Sequence, residues 1–200
     1  PAIPASAIEE YTRPGDTVLD PFCGSGTTLI EAMVRDRKAV GIDVNPLSVL
    51  ISQVKTTRLD PEVLRCVADE VISIGRYIYE SDPPKPPYCV NIHHWYRPRV
   101  IKQLASLHAA TEMITSDPHR RFIQACLSAI NRNAAPQHVF PGYSKRLRKL
   151  DLERGRRIDA FETFENGVNK RLDYLKEFYG QLLPGAECVV FHENADKRML

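Results

Sequence analysis

The stretch Thr17-Val18-Leu19-Asp20-Pro21-Phe22-Cys23-Gly24-Ser25-Gly26-Thr27-Thr28 decides how this chain folds. Its first four residues are a short apolar run closed by an acid, the pattern of a buried strand in a parallel sheet. Phe22 to Gly26 reads as a loop of small residues. From Thr27 to Arg35, the residues Leu29, Ile30, Ala32 and Met33 recur at helical spacing. Glycines between a strand and a helix start have a physical use. Without a Cβ they let the backbone approach a ligand closely, and the free N–H groups of the helix start favour an anionic group.

Upstream of this stretch, Pro14-Gly15 forms a turn. Downstream, Lys38 to Val44 reads as a second strand. Asn45 is a natural N-cap and Pro46 a natural first helical residue, with Leu47, Leu50, Ile51 and Val54 as the apolar stripe of the helix. Strands that alternate with helices predict an α/β fold, a parallel sheet with helices on its faces. Asp43 ends the second strand, 19 residues after Gly24. A carboxylate there can accept hydrogen bonds from both ribose hydroxyls of a nucleoside cofactor. The plainer alternative is a capped crossover whose Asp43 faces solvent; the loop and the acid, in this order, favour the ligand-binding reading.

The alternation then stops. Asp60-Pro61 starts a helix carrying Val63, Leu64, Val67, Val71 and Ile74. Residues 81–98 hold five prolines, at 83, 84, 86, 87 and 98, which makes the stretch an extended loop. Val100, Ile101, Leu104, Leu107 and Ile114 mark another helix. Asp117-Pro118 starts one more, with Phe122, Ile123, Leu127 and Ile130 as its stripe. Residues 133–157 are polar and read as irregular. A long amphipathic helix returns over about 157–183, through Ile158, Phe161, Phe164, Val168, Leu172, Leu175 and Phe178. Pro184-Gly185 ends it, and Ala186 to His192 reads as a third strand. The expected division is a β-α-β-α half at 1–57, a helical insertion at 58–155, and a return helix and third strand at 156–200.

The 200 residues, 22.7 kDa, are enough for one domain with an insertion and a core of its own. Lys+Arg number 27 against 25 Asp+Glu, so a wholly basic DNA-coating protein is excluded, though a local basic patch is not. The five cysteines, at 23, 66, 89, 126 and 188, are odd in number and none are spaced C-x-x-C. That argues against a disulfide scaffold or a structural zinc site, and for a reducing, cytoplasmic setting. No apolar run approaches the roughly 18 residues of a membrane span, and no signal peptide is expected. His93-His94 lacks a third ligand at metal-binding spacing, so no metal is expected.

The residues Asp20-Pro21-Phe22-Cys23-Gly24-Ser25-Gly26-Thr27-Thr28, followed by Gly41-Ile42-Asp43-Val44-Asn45-Pro46, resemble the first two motifs of the S-adenosylmethionine-dependent DNA amino-methyltransferases. These methylate the exocyclic amine of adenine or cytosine. Val54-Lys55-Thr56-Thr57, His94-Trp95-Tyr96 and Phe122 to Ile130 look like the helical insertion of one bacterial subgroup. The resemblance implies a Rossmann-like class I methyltransferase fold with a partial parallel sheet, S-adenosyl-L-methionine as cofactor and double-stranded DNA as partner. It also implies a setting in DNA methylation and restriction-modification.

By the same resemblance, Asp20, Pro21 and the loop Phe22, Cys23, Gly24, Ser25 and Gly26, with Thr27 and Thr28 at the helix start, would hold the methionine part of the cofactor. Asp43 would take the ribose hydroxyls and Val44 would pack beside the adenine. Asn194-Ala195-Asp196 stands where the family often has Gly-Asp-Ala, so Asp196 or Asn194 would reach the adenine amine. An ordinary strand-end turn is the alternative there. Cys23 has no histidine beside it in sequence and reads as a packing residue rather than a nucleophile.

The family's catalytic motif is Asp, Asn or Ser, then Pro-Pro, then an aromatic residue. A side-chain oxygen and a backbone carbonyl accept the two N–H bonds of the target amine, raising electron density on its nitrogen as it attacks. The aromatic ring stacks on the flipped base. Asp82-Pro83-Pro84-Lys85 has the acceptor without the ring. Lys85-Pro86-Pro87-Tyr88 has the ring, but its lysine can only donate. Both read as part of the proline-rich loop, and no catalytic residue is assigned. The chain opens at Pro1 and closes at Leu200 without the motif, so a fragment or one part of a split enzyme is expected, with a missing segment or second chain carrying it.

Residues 143–157 hold seven Lys/Arg and two Asp/Glu, with Tyr143, His138 and Phe140 adding aromatic character. Lys145, Arg146, Arg148 and Lys149 would track DNA phosphates, the alternative being a solvated loop. Two other functions share these features. A non-catalytic DNA-binding or scaffolding subunit would bind DNA in a salt-dependent way without chemistry. An RNA guanine methyltransferase would share the cofactor loop but prefer transfer RNA as substrate.

Overall fold

The computed structural model describes residues 2–90, 92–134, 158–181 and 186–195. In chain order the elements are α1 (Ala2–Tyr11), β1 (Thr17–Asp20), α2 (Thr27–Val34), β2 (Lys38–Asp43), α3 (Pro46–Thr56), α4 (Pro61–Ser81), α5 (Ile92–Trp95), α6 (Pro98–Glu112), α7 (Asp117–Ala134), α8 (Ala160–Tyr179) and β3 (Cys188–His192). They form two compact units, one of residues 1–60 and 173–200, the other of residues 61–172. Among the described residues no helix is long and apolar enough to cross a membrane.

The first unit is built on a parallel sheet of order β1-β2-β3. One face carries Val18, Ala39, Cys188 and Val190 and packs on α2, whose Leu29, Ala32 and Met33 are buried. Gly41 belongs to this face, and a Cβ there would lie 2.7 Å from Leu29 Cδ1 and 3.0 Å from Cys23 Sγ. The glycine therefore sets how closely helix and loop approach the sheet. On the opposite face Leu19, Val40 and Val189 lie side by side in register across the three strands. Leu19 is 47% and Val189 51% exposed, so this apolar row faces outward.

Helix α1 is absent from the sequence reading. Ile8 is its one buried residue, so it carries no apolar stripe to read. Tertiary contacts hold it: Ile8 joins the core under α2, and Glu9 pairs with Arg35 at 2.7 Å.

Helix α3 begins as expected, with the Asn45 side chain accepting from the Leu47 N–H and Pro46 in the first turn. Its buried face differs from the expected stripe. Leu47 is exposed and Leu50, Ile51 and Val54 are only half-buried, while Val49 and Ser52 are buried. The helix turns a partly polar face inward because its partners there are backbone groups: Gln53 Nε2 donates to the Val190 carbonyl at 3.3 Å, and Ser52 meets the glycine loop. At the end of α8, Tyr179 Oη accepts from the Leu59 N–H and donates to the Thr57 carbonyl, both at 3.0 Å.

The second unit is helical. Leu64, Ala68, Val71 and Gly75 form the buried seam of α4, with the small residues admitting close neighbours. A Cβ at Gly75 would lie 3.2 Å from Phe161 Cε1, and one at Gly167 would lie 2.7 Å from Ile130 Cγ2. Asp159 caps α8 by accepting from the N–H groups of Phe161 and Glu162, and it also binds Gln103 and Arg99. Residues of α8 up to Leu172 cluster with the helical unit, and Phe161, Phe164, Val168 and Leu172 are buried.

Candidate functional site

The site is assembled where β1 and β2 end. Their parallel pairing sets Asp20 beside Gly41, so the segments that follow leave the sheet next to each other. The Cys23 N–H donates to the Ile42 carbonyl at 3.0 Å, extending the ladder by one rung into the loop. One residue on, the Gly24 N–H donates to Asp43 Oδ2 at 2.9 Å. The other carboxylate oxygen, Oδ1, accepts from the Asn45 N–H at 2.8 Å. Each oxygen has a second lone-pair direction available, so the carboxylate retains capacity for further donors.

The loop's shape follows from its glycines. Gly24 has φ +51° and Gly26 φ +81°, both in the left-handed region that side chains disfavour. Gly26 is the N-cap of α2 and provides no side-chain cap, so the first N–H groups of α2 have neither an intrahelical nor a capping acceptor. Asp20 Oδ1 accepts from the Phe22 N–H at 3.1 Å and holds the start of the loop. The predicted residues Asp20, Pro21, Phe22, Cys23, Gly24, Ser25, Gly26, Thr27, Thr28, Asp43 and Val44 are thus brought to one edge of the sheet. Phe22, 79% exposed, and Val44, 70% exposed, both stand at this edge.

Cys23 is buried and lies beneath the loop. Burial pushes its thiol up first, and the charges of Asp20 and Asp43 push it further, while the Ser52 hydroxyl opposes them. A thiol held protonated is a packing group, not a nucleophile.

Past β3, His192 Nε2 lies 3.1 Å from the Val44 carbonyl, and the Glu193 N–H donates to the Asp43 carbonyl at 3.2 Å. Asn194 follows, exposed, one residue before buried Ala195. Asp196 lies outside the described residues, as do Lys145, Arg146, Arg148 and Lys149. Both Pro-Pro segments lie in residues 82–89, which are neither helix nor strand, and Tyr88 is almost fully exposed.

Ser52 is not among the residues that the sequence marks for the site, and Lys55 stands only within the stretch Val54–Thr57 that carries a resemblance. In the structure both hold the loop: Ser52 Oγ donates to the Gly24 carbonyl at 2.7 Å and Lys55 Nζ to the Ser25 carbonyl at 2.8 Å. The one signal available was polar residues three apart on the helix that follows the acid.

A glycine loop after one parallel strand, bonded to a carboxylate at the end of the next, is an arrangement seen in α/β domains that bind ligands at the carboxyl ends of their strands. Comparison with known proteins specifies it. Residues 1–53 match the model of a family described as DNA methylase. The chain is 31% identical over 122 residues to the Type II methyltransferase M.MvaI of Kocuria varians, which covers 58% of this chain and 27% of that protein. It is 33% identical over 66 residues to the Type II methyltransferase M.MjaII of Methanocaldococcus jannaschii, covering 33% of the chain and 12% of the relative. It is 46% identical over 57 residues to the Type II methyltransferase M.Cfr9I of Citrobacter freundii, covering 28% and 19%. No solved structure matches. Residues 1–53 are thus similar to the DNA methylase family, and parts of the chain are similar to Type II methyltransferases. It spans about a quarter or less of the length of these curated relatives.

Proposed function

We propose that this chain is the cofactor-binding portion of a DNA methyltransferase that transfers a methyl group from S-adenosyl-L-methionine to the exocyclic amine of adenine or cytosine. The observation that carries the reading is the Gly24–Asp43 junction at the ends of β1 and β2. The residues suit a nucleoside with an amino-acid arm. The uncapped start of α2 and the positive-φ glycines suit the arm, the lone pairs left on Asp43 suit ribose hydroxyls, and exposed Phe22 and Val44 suit a flat base. On this reading Asp20 and residues 21–28 hold the methionine part, Asp43 the ribose, and Val44 the adenine. Asn194 or Asp196 reaches the adenine amine. When bound, the cofactor supplies a methyl group on a sulfonium centre, ready for transfer to an amine. The fold is then a Rossmann-like class I methyltransferase domain, of which this sheet is part.

The residues that hold the target base come from a further segment or a second chain. Two observations support this: the chain spans 27% of M.MvaI, and the apolar row Leu19–Val40–Val189 lies on the outward sheet face. Parallel sheets are ordinarily covered on both faces. Lys145, Arg146, Arg148 and Lys149 contribute phosphate contacts to the DNA.

The test is calorimetric titration of the chain with S-adenosylmethionine. Saturable binding that is lost in Asp43→Ala supports the reading, and binding indifferent to that change sinks the ribose assignment. Labelled methyl transfer to duplex DNA, compared with transfer RNA, then identifies the substrate.

A further inference from the structure

Ser52 is a polar residue with 0% exposure, on the face of α3 that meets the glycine loop. Its Oγ donates to the Gly24 carbonyl at 2.7 Å. Cys23 Sγ lies 4.0 Å from both Ser52 Oγ and that carbonyl oxygen, and Cys23 is buried too. A Cβ at Gly26 would lie 3.0 Å from Ser52 Oγ, so the loop rests on Ser52 at a second point. The Gly24 N–H, on the preceding peptide, donates to Asp43 Oδ2 at 2.9 Å. The two peptides that flank the Gly24 Cα are therefore each held from outside the loop, one by Asp43 and one by Ser52. Gly24 has φ +51°, and a glycine has little intrinsic preference for that conformation over others. The two bonds fix what the residue itself leaves free.

The Ser52 bond also sets a direction. A trans peptide is planar and points its N–H opposite to its C=O. The Gly24 carbonyl is turned onto buried Ser52, so the N–H of the same peptide, which is that of Ser25, is turned away from it. Ser25 is exposed.

We infer that Ser52 is a positioning residue for the cofactor: by holding the Gly24 carbonyl inward, it presents the Ser25 N–H as a donor to the carboxylate of the amino-acid end. The inference rests on the S-adenosylmethionine reading above. Ser52 itself does not touch the ligand and acts through one peptide. An amide already aimed at the anion is not ordered at the moment of binding, so the affinity it contributes is kept. Without the hydroxyl the Gly24–Ser25 peptide is free to turn, and binding has to order it. The nucleoside end carries no carboxylate, and its ribose is met by Asp43.

Two ligands separate the ends. S-adenosylhomocysteine has both the nucleoside and the amino-acid arm, whereas methylthioadenosine has the nucleoside without that arm. Both are titrated calorimetrically into the chain. Ser52→Ala keeps the small side chain and removes the hydroxyl. It is expected to weaken S-adenosylhomocysteine about tenfold while methylthioadenosine stays within about twofold of the parent, the scale of one hydrogen bond to a charged group. Val49→Ala, at another buried position of α3, lowers the melting temperature and leaves the ratio of the two affinities at its parent value. Equal weakening of both ligands by Ser52→Ala, unchanged affinity for both, or the same change of ratio in Val49→Ala overturns the inference and leaves the cofactor reading intact. The parent chain gives a readout that does not depend on a variant folding. The Ser25 amide proton resonance is expected to move downfield with S-adenosylhomocysteine and to stay near its free position with methylthioadenosine. The same displacement with both ligands, or none with either bound, also overturns the inference. Binding of neither ligand by the parent chain overturns the cofactor reading and this inference with it.

Discussion

The Gly24 N–H donates to Asp43 Oδ2 at 2.9 Å, joining the loop after β1 to the last residue of β2. Because Asp43 Oδ1 also accepts from Asn45, one carboxylate holds two backbone segments. Asp43→Ala leaves both N–H groups without their acceptor. The change is expected to cost about 1–3 kcal/mol in urea unfolding, in addition to the loss of ligand binding. An alanine variant as stable as the parent would show that the two contacts are exchanged for water without loss.

Gly41 and Gly24 are expected to respond differently to alanine. At Gly41 the new Cβ would lie 2.7 Å from Leu29 Cδ1, so the core must shift, at about 1–3 kcal/mol. At Gly24 nothing lies within 4 Å, and the cost is the left-handed backbone alone, about 1 kcal/mol. Denaturant midpoints of the two variants give the order directly, and a reversed order would contradict the packing described at Gly41.

The two faces of the sheet differ in the same way. Leu29 is fully buried, and Leu29→Ala is expected to cost about 2–5 kcal/mol. Leu19→Lys, on the outward face, is expected to stay within about 1 kcal/mol of the parent in this chain alone. A large loss at Leu19 would mean that the face is already covered.

Asp159 makes the helical unit acid-sensitive. Burial, the largest single influence, raises its pKa, but hydrogen bonds from Gln103 and from the N–H groups of Glu162 and Phe161, with the charge of Arg99, outweigh it and hold the carboxyl below its ordinary value. A depressed carboxylate pKa contributes stability that is present above the unfolded value, about 4, and is lost as pH falls through the folded value. Unfolding midpoints measured from neutral pH downward should fall below about pH 4, and Asp159→Asn should remove that part of the decline. An identical acid profile in the variant would assign the decline to other groups.

The cysteines should divide by reactivity. Cys66 and Cys89 are exposed, whereas Cys23 and Cys126 are buried and the Cys126 thiol is pushed up to about 12 by burial. A thiol reagent should label the first pair in the native chain and reach Cys23 and Cys126 only on unfolding. Rapid native labelling of Cys126 would disprove the packing of α7.

The local chemistry of the site was legible in the linear sequence. An apolar run closed by Asp20, two glycines, a helix start, and a second run closed by Asp43 each depend on residues close together in the chain, where backbone sterics and hydrogen-bonding patterns act directly. The helices with long apolar stripes, such as α7 and α8, were legible for the same reason. Helix α1 was not, because one buried residue, Ile8, leaves no period to detect. The inward face of α3 was not either. Burial of Ser52 and the reach of Lys55 depend on loop carbonyls 28 and 30 residues away in the chain, which only the closed β1-α2-β2 unit brings within hydrogen-bond range. Sequence therefore determined which groups the site contains, since that depends on residue type and short spacing. Tertiary structure decided how they are held, since hydrogen bonds and packing between distant segments exist only after the chain has folded.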